Sequence, residues 1–517
     1  MGSIALLLAA AAAAHTLARA LRIPPIPLLV GAGIALGGVL PGEFLDTALI
    51  LGVTFLLFVT GIELSPAGVM QQRGRALRVG LVQFSVMGLA GFAASLLLGF
   101  DPVSAAFLAL ALTASSTLLV VRLLRQRRQM YEPFARLVLG VLLLQDILVI
   151  GLIPLVTRAP HGPTAVALGV LGIAVLLLMA AITARWGTRL LARIGQEDEP
   201  FLLAVLAILF IFLGAADVLG LPLVVGAFLA GVAIASFPTS ALTRPNLAPI
   251  GDFFSAVFFT ALGAIIGVPS LAEVGYALLL AGFVVLGTPP LVTWIAERTG
   301  FSARPAIESG LLLAQTSELS LVVGLYGMIE GEIEPGVFTI IALVTLLTML
   351  LTPMIAHTRV AWWLMHLHPV RRSRAQITPP EGGHVLVLGS GTTGLPLVET
   401  LLASGYEVVV VDDDPTVVAQ LGEAELSVIR GDATDTAVLD QARARQARLI
   451  TSTIRRPEDN RRLLEYVSGV PVLVRVFEDE DAEWVRELGG TPVVYSDATA
   501  AALLEWLEAE GLVRQPA

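Results

Sequence analysis

Asp146 stands where carboxylates are rarely tolerated. Preceded by Gln145, it lies midway along the apolar run LLLQDILVI that ends at Ile150. A carboxylate at the centre of a bilayer costs at least ~2.5–3.5 kcal/mol on insertion scales, and one kept there by default marks an ion or proton path. Two other apolar stretches are interrupted by short polar runs, Thr113-Ala114-Ser115-Ser116-Thr117 and Gln315-Thr316-Ser317-Glu318. Counted from the ends expected inside the cell, Thr113, Asp146 and Glu318 are about 11, 12 and 14 residues deep. At ~1.5 Å per residue these depths agree within one helical turn. Polar breaks beside a buried carboxylate predict unwound backbone, whose carbonyls and hydroxyls can coordinate a cation.

Blander roles exist for several of these groups. Ser and Thr hydroxyls, and Gln145, can cross-link neighbouring spans. Glu318 could be a structural carboxylate paired to an arginine. His15 has no polar companion nearby and reads as a tolerated interior residue, while Glu63, Asp252 and Glu308 fall near cytoplasmic span ends, where a solvated or salt-bridged role is the default. Glu330, Glu332 and Glu334 form an acidic outer loop.

The elements that must hold this chemistry are membrane helices. The 517 residues are 56% hydrophobic and 14% charged, with a mean hydropathy of +0.83, so most of the chain needs lipid around it. Cysteine and lysine are both absent. That excludes disulfides, thiolate metal sites, cysteine nucleophiles, Schiff-base chemistry and a P-loop. Thirteen apolar segments are expected, roughly 3–20, 26–40, 47–62, 77–99, 102–124, 134–157, 163–188, 200–218, 222–236, 250–267, 272–295, 304–328 and 336–357. Most have the ~20 residues that cross ~30 Å of hydrocarbon. With the C-terminal part in the cytoplasm and the N-terminus outside, of the 21 arginines in residues 1–378 only Arg158 falls outside. That asymmetry obeys the positive-inside rule and supports an odd number of spans.

The sequence also repeats. PLLVGA at 27–32 returns as PLVVGA at 222–227, FLLFVTG at 55–61 echoes VFFTALG at 257–263, and LTASSTL at 112–118 lines up with LAQTSEL at 313–319. Each pair is seven segments apart. Seven is odd, so the halves run in opposite directions, the inverted repeat of many secondary transporters.

These residues resemble the Kef-type potassium/proton antiporters of the second monovalent cation:proton antiporter family. The likeness rests on FLLFVTGIELSP (55–66), the break at 113–117, Gln145-Asp146, GAFLAG (226–231), FFSAVFFTALG (253–263) and AQTSELS (314–320), in that order. It implies a homodimer in the cell membrane, with a core bundle moving against a dimerisation bundle and two crossed, discontinuous helices. It also implies that Asp146 carries the exchanged ion, helped by Gln145 and by polar atoms of Thr113, Ser115, Ser116, Thr117, Gln315, Ser317 and Glu318. Electrogenic relatives resemble this pattern but carry two adjacent aspartates and a lysine; here Gln145 precedes Asp146 and lysine is absent. One carboxylate that takes either a proton or a cation predicts electroneutral exchange.

Beyond a cytoplasmic linker, 361–381, which holds Arg371, Arg372 and Arg374, the pattern becomes strand–helix alternation. Residues 379–517 carry 11 arginines against 24 acids, which is unsuited to nucleic acid. Gly389-Ser390-Gly391-Thr392-Thr393-Gly394 lies between a strand and a helix, and Asp412 ends the next strand, 23 residues after the first glycine. That is a dinucleotide-type fingerprint: glycines admit the phosphates, a helix N-terminus receives them, and the acid takes ribose hydroxyls. With Gly431-Asp432-Ala433-Thr434, residues 382 to about 512 resemble the RCK (TrkA-N type) regulatory domain. The resemblance implies NAD(H), AMP or a related adenine nucleotide at the glycine-rich turn, Asp412 and Asp432, although many such domains carry arginine where Thr392 stands.

The expectation is therefore a polytopic α-helical antiporter domain (1–360) followed by a Rossmann-like α/β domain (382–517). It exchanges K⁺ for H⁺ under nucleotide control and is not an enzyme. Na⁺/H⁺ exchange is the rival within transport. An RCK-gated potassium channel is the rival outside it, disfavoured because no TVGYG-like carbonyl filter occurs.

Overall fold

The computed structural model describes residues 2–21, 23–63, 73–127, 129–130, 132–187, 198–235, 240–367, 380, 382–390, 394–424, 426–477 and 479–496. The chain divides into two compact units. One comprises Met1–Ile295 and Ile307–Ala361, the other Ala296–Ala306 and Trp362–Ala517.

The described residues of the first unit form helices and the connections between them, with no strand. Its helices are α1 (Gly2–Leu21), α2 (Pro25–Ala35), α3 (Gly42–Glu63), α4 (Arg73–Leu97), α5 (Pro102–Ala111), α6 (Thr117–Gln126), α7 (Pro133–Arg158), α8 (Pro163–Ile182), α9 (Asp198–Val218), α10 (Leu223–Ala235), α11 (Ser240–Ile266), α12 (Leu271–Arg298), α13 (Ala303–Leu312), α14 (Glu318–Ile329) and α15 (Pro335–Ile355). Among the described residues nine helices are long and apolar enough to cross a membrane, and α2, α5, α10 and α14 are shorter apolar helices. Start signals are written in the sequence. Asp101 caps α5, its Oδ1 accepting from the Val103 and Ser104 N–H groups, and proline occupies the first turn of α2, α5, α7 and α15, where the missing N–H costs nothing.

Two helix crossings carry a glycine on each side, both too close to a carbonyl to admit a side chain. A Cβ on Gly61 of α3 would meet the Phe228 carbonyl oxygen at 2.4 Å, and one on Gly231 of α10 would meet that of Phe58 at 2.2 Å. The same happens between α2 and α11, where Gly33 faces the Thr260 carbonyl at 2.0 Å and Gly263 that of Val30 at 2.1 Å. Without a hydrophobic drive between helices in lipid, close backbone approach of this kind holds them by van der Waals contact.

In the second unit α16 (Thr358–Leu367) precedes six parallel strands: β1 (Val385–Leu388), β2 (Val408–Asp412), β3 (Ser427–Arg430), β4 (Leu449–Ser452), β5 (Val472–Val476) and β6 (Thr491–Val494). Their order is β3-β2-β1-β4-β5-β6. Between them lie α17 (Gly394–Ala403), α18 (Pro415–Glu423), α19 (Thr436–Gln441), α20 (Pro457–Tyr466) and α21 (Asp479–Glu487). Strands β1 and β2 are valine and leucine throughout apart from Asp412, because helices cover both sheet faces. Leu386, Leu388, Val409, Val411 and Ile450 pack on one side, and Val385, Val387, Val408 and Val410 on the other.

Candidate functional site

In the first unit, helix α5 stops at Ala111 and α6 restarts at Thr117; α13 stops at Leu312 and α14 restarts at Glu318. Serine ends each gap. Ser116 Oγ accepts the Leu119 N–H at 3.2 Å, and Ser317 Oγ accepts that of Leu319 at 3.2 Å while Ser320 Oγ accepts the Ser317 N–H. Such caps satisfy donors that would otherwise be stranded in an apolar interior. The two gaps are stitched together: Ser115 Oγ donates to the Leu313 carbonyl (2.9 Å), Ser320 Oγ to that of Ala111 (2.5 Å), and Ser116 Oγ to Glu318 Oε1 (2.7 Å).

Asp146 lies on α7 against the first gap, 1% exposed. Thr117 Oγ1 donates to its Oδ2 at 3.0 Å, whereas Oδ1 is buried with no hydrogen-bond partner. A stranded carboxylate oxygen is costly unless a proton or a cation sits on it. A cavity of about 80 Å³ is lined by Asp146, Thr117, Ser317 and Glu318, with Thr60, Asp252 and Ser255 also on its wall. Of the residues expected to serve the ion, Thr117, Asp146, Ser317 and Glu318 therefore meet at one void. Gln145 is turned elsewhere: its Oε1 accepts the Ser115 N–H (3.0 Å) and its Nε2 donates to Gln83 Oε1 (2.6 Å). Thr113 Oγ1 donates back to the Leu110 carbonyl, and Gln315 Nε2 lies 3.4–3.5 Å from the Leu312 and Ser116 carbonyls. Sequence reasoning passed over Gln83, although a lone amide inside the span 77–99 was a visible signal. Asp252, expected to be solvated or salt-bridged, is exposed as well as on the cavity wall, and Thr60 and Ser255 carried no expected role.

In the second unit the strand order reverses between β2-β1 and β4, which opens a crevice at the carboxyl ends of the strands. Gly389 takes a left-handed conformation (φ +79°), and Gly394 lies so near it that a Cβ there would meet the Gly389 carbonyl at 2.4 Å. Gly391, Thr392 and Thr393 lie outside the described residues. Asp412 faces inward to the turn: Oδ2 accepts from Ser390 N–H (2.7 Å) and Oγ (3.0 Å), and Oδ1 from Asp414 N–H (2.8 Å). Burial pushes its carboxyl above the ordinary range in spite of those bonds. Asp432 Oδ1 accepts from Thr434 N–H and Oγ. Its Oδ2 accepts from Arg304, which also reaches Asp459. Burial opposes ionisation of Asp432, but Arg304 and Thr434 outweigh it and hold the carboxyl below the usual range. For Asp459 burial wins, and its carboxyl is lifted. Arg304 is absent from the sequence-based site; nothing in the spacing linked residue 304 to residue 432.

Residues 4–362 match the family described as sodium/hydrogen exchanger, transmembrane, and residues 385–496 match the TrkA-N domain. The glutathione-regulated potassium-efflux system protein KefC of Salmonella schwarzengrund (strain CVM19633) is 30% identical over 491 residues, covering 88% of this chain and 78% of that protein. KefC of Shigella flexneri serotype 5b (strain 8401) is 29% identical over 492 residues, with the same coverage. Among solved structures, the sodium proton antiporter MjNhaP1 from Methanocaldococcus jannaschii is similar in fold, with a TM-score of 0.53 and 18% identity over 70% of this chain and 99% of that one.

Proposed function

We propose, for a chain that belongs to the transmembrane sodium/hydrogen exchanger family and carries a TrkA-N domain, that it moves K⁺ out against H⁺ without net charge transfer, using Asp146 as the exchange group. The chain is a multi-pass cation/proton antiporter of the KefC type and not an enzyme. The observation that carries the site assignment is the unpartnered Asp146 Oδ1, buried in a residue that lines a polar cavity. Thr117 holds the other oxygen and fixes the carboxylate's rotation. Burial makes the empty, charged form expensive to move through the protein, so Asp146 crosses only with a proton or a cation bound. Ser317 and Glu318 supply further oxygens at the same cavity. Thr113, Ser115, Ser116, Gln315 and Gln145 keep the two gaps in shape. K⁺ is preferred over Na⁺ as the cargo because the KefC relatives are named for potassium efflux.

The architecture proposed around this site is a thirteen-span inverted repeat with its N-terminus outside. Its support is the pairing of the α3–α10 crossing with the α2–α11 crossing and of one interrupted helix pair with the other. Residues 1–360 form the transporting domain and 382–517 a cytoplasmic regulatory domain, in a homodimer as the family resemblance implies. An adenine nucleotide binds that domain. Gly389 and Gly394 leave room for its phosphates, and the first turn of α17 faces them; Asp412 orders the turn through Ser390, and Asp432 offers acceptors. The nucleotide biases the populations of transport states by binding one of them better.

The test is proton flux in proteoliposomes loaded with a pH dye, pulsed with K⁺ or Na⁺ at clamped potential. Wild type should move protons in response to K⁺ regardless of potential, and Asp146→Asn should abolish this. A larger response to Na⁺ reassigns the cargo. K⁺ flow without protons, persisting in Asp146→Asn, replaces the antiporter with a channel.

A further inference from the structure

Arg304 lies in the first turn of α13 and is 2% exposed. Its Nη1 donates to Asp432 Oδ2 (3.1 Å) and Thr434 Oγ1 (2.9 Å), and its Nη2 to Asp459 Oδ1 (2.9 Å); the guanidinium carbon sits 4.8 Å from the centroid of Trp362. The same short stretch of chain is gripped once more, because Arg430 donates to the Gly300 carbonyl. All of these residues belong to the second unit. A guanidinium this deep is stable only while its partners are in place, and losing one of them leaves an uncompensated buried charge. Such a contact tends to be made or broken as a whole.

Its position gives it meaning. Asp432 follows β3 and Asp459 lies in the first turn of α20, just after β4. Both therefore stand beyond the carboxyl ends of the strands, on the edge where open parallel sheets take their ligands. Oδ1 of Asp432 already accepts two hydrogen bonds from Thr434, the capacity of a carboxylate oxygen. A ligand donor at Asp432 is therefore left Oδ2, the oxygen that Arg304 already holds. From Arg304 the chain continues as one helix for eight residues to Leu312, about 12 Å at ~1.5 Å per residue. The next residue, Leu313, offers the carbonyl that accepts Ser115, and the gap ends at Ser317 and Glu318 of the ion cavity.

We infer that Arg304 is the coupling residue between nucleotide and ion: an adenine nucleotide and the Arg304 side chain are alternative partners of Asp432, and release of Arg304 frees the start of the helix that leads to the second gap. This rests on the nucleotide reading above. Linkage makes the effect reciprocal: the nucleotide weakens the Arg304 contact by the same factor by which that contact weakens nucleotide binding.

The test uses the full chain in proteoliposomes, with AMP, ADP and NAD⁺ as probes, and two readouts: the Kd of each probe, and K⁺-driven proton flux with and without it. In Arg304→Gln the probe that binds wild type should bind about tenfold tighter, within the usual range of coupling factors. Flux without probe should already equal that of probe-saturated wild type and should not respond further. Arg304→Lys, which keeps the charge but cannot fork between two carboxylates, should shift both readouts in the same direction by less; it serves if the glutamine variant fails to fold. Unchanged Kd and an unchanged flux response in both variants would overturn the coupling, and so would weaker binding, which would make Arg304 a ligand contact rather than a competitor. If wild type binds none of the probes, the nucleotide reading itself falls, and this inference with it.

Discussion

Gln145 was expected to help Asp146 hold the ion, and its amide is spent otherwise. An unbroken chain of hydrogen bonds runs from the Ser115 N–H through Gln145 Oε1, from Gln145 Nε2 to Gln83 Oε1, and from Gln83 Nε2 to the Thr113 carbonyl at 3.2 Å. The two amides thus clasp the first helix gap on both sides. An amide carries both the donor and the acceptor this needs; a carboxylate at 145 would lose the donor and sit beside Asp146 as a like charge. Both side chains of the clasp are buried, so Gln83→Leu leaves the Thr113 carbonyl and the Gln145 amide unmatched, at ~1–3 kcal/mol for each stranded group. Thermal unfolding in detergent should show that loss for Gln83→Leu and a similar one for Gln145→Leu. The double variant should cost clearly less than their sum, because the singles share one bond; strict additivity would mean the clasp does not exist. The sequence made Asp146 legible because a carboxylate amid leucines has few explanations. Gln83 was visible as a lone amide, but its partner was not, because one amide on another span reveals nothing of which gap it faces.

At the scale of helices, the apolar segments, the two polar gaps and the six strands could all be read, since each is encoded locally in run length, capping serines or β-branched runs. Which helix crosses which could not. The glycines at 33, 61, 231 and 263 look like ordinary membrane glycines until the structure shows each against a partner's backbone carbonyl. Their arrangement predicts a sharp contrast. Gly61→Ala or Gly231→Ala puts a methyl within 2.4 Å of a carbonyl oxygen that cannot rotate away, so α3 and α10 must separate, at ~1–3 kcal/mol for overpacking. Gly214→Ala on α9, where a Cβ would meet nothing within 4 Å, should instead gain up to ~1 kcal/mol of helix propensity. Opposite shifts in unfolding temperature are the expected result. Equal shifts would mean that the α3–α10 crossing is not tight in the membrane.

For the molecule as a whole, the division into a lipid-embedded part and an acidic tail was visible in charge and hydropathy alone. That Ala296–Ala306 belongs with the tail was not, because a contact between residues 304 and 432 leaves no periodic trace. Whether transport is electroneutral is also a property of the whole, and it depends on how many carboxylates change their charge in a cycle. Two buried ones line the cavity, Asp146 and Glu318. They differ in their surroundings: Glu318 receives hydroxyl donors on both oxygens, from Ser116 at 2.7 Å and Ser317 at 3.3 Å, while Asp146 keeps one oxygen unpartnered. A carboxylate satisfied on both sides has less to gain from a proton than one that is not. The proposed electroneutral exchange requires that Glu318 keep a fixed charge while only Asp146 alternates between proton and cation, so that the loaded site carries the same charge in both directions. Glu318→Gln should then keep exchange at an unchanged stoichiometry, insensitive to clamped potential. Its apparent cation affinity should weaken by roughly tenfold or more, because a unit charge several ångströms away contributes on the order of 1–3 kcal/mol at an effective dielectric constant near 20. If Glu318 instead exchanged a proton of its own, two protons would move per cation. Wild-type flux would then follow the potential, and Glu318→Gln would abolish that dependence.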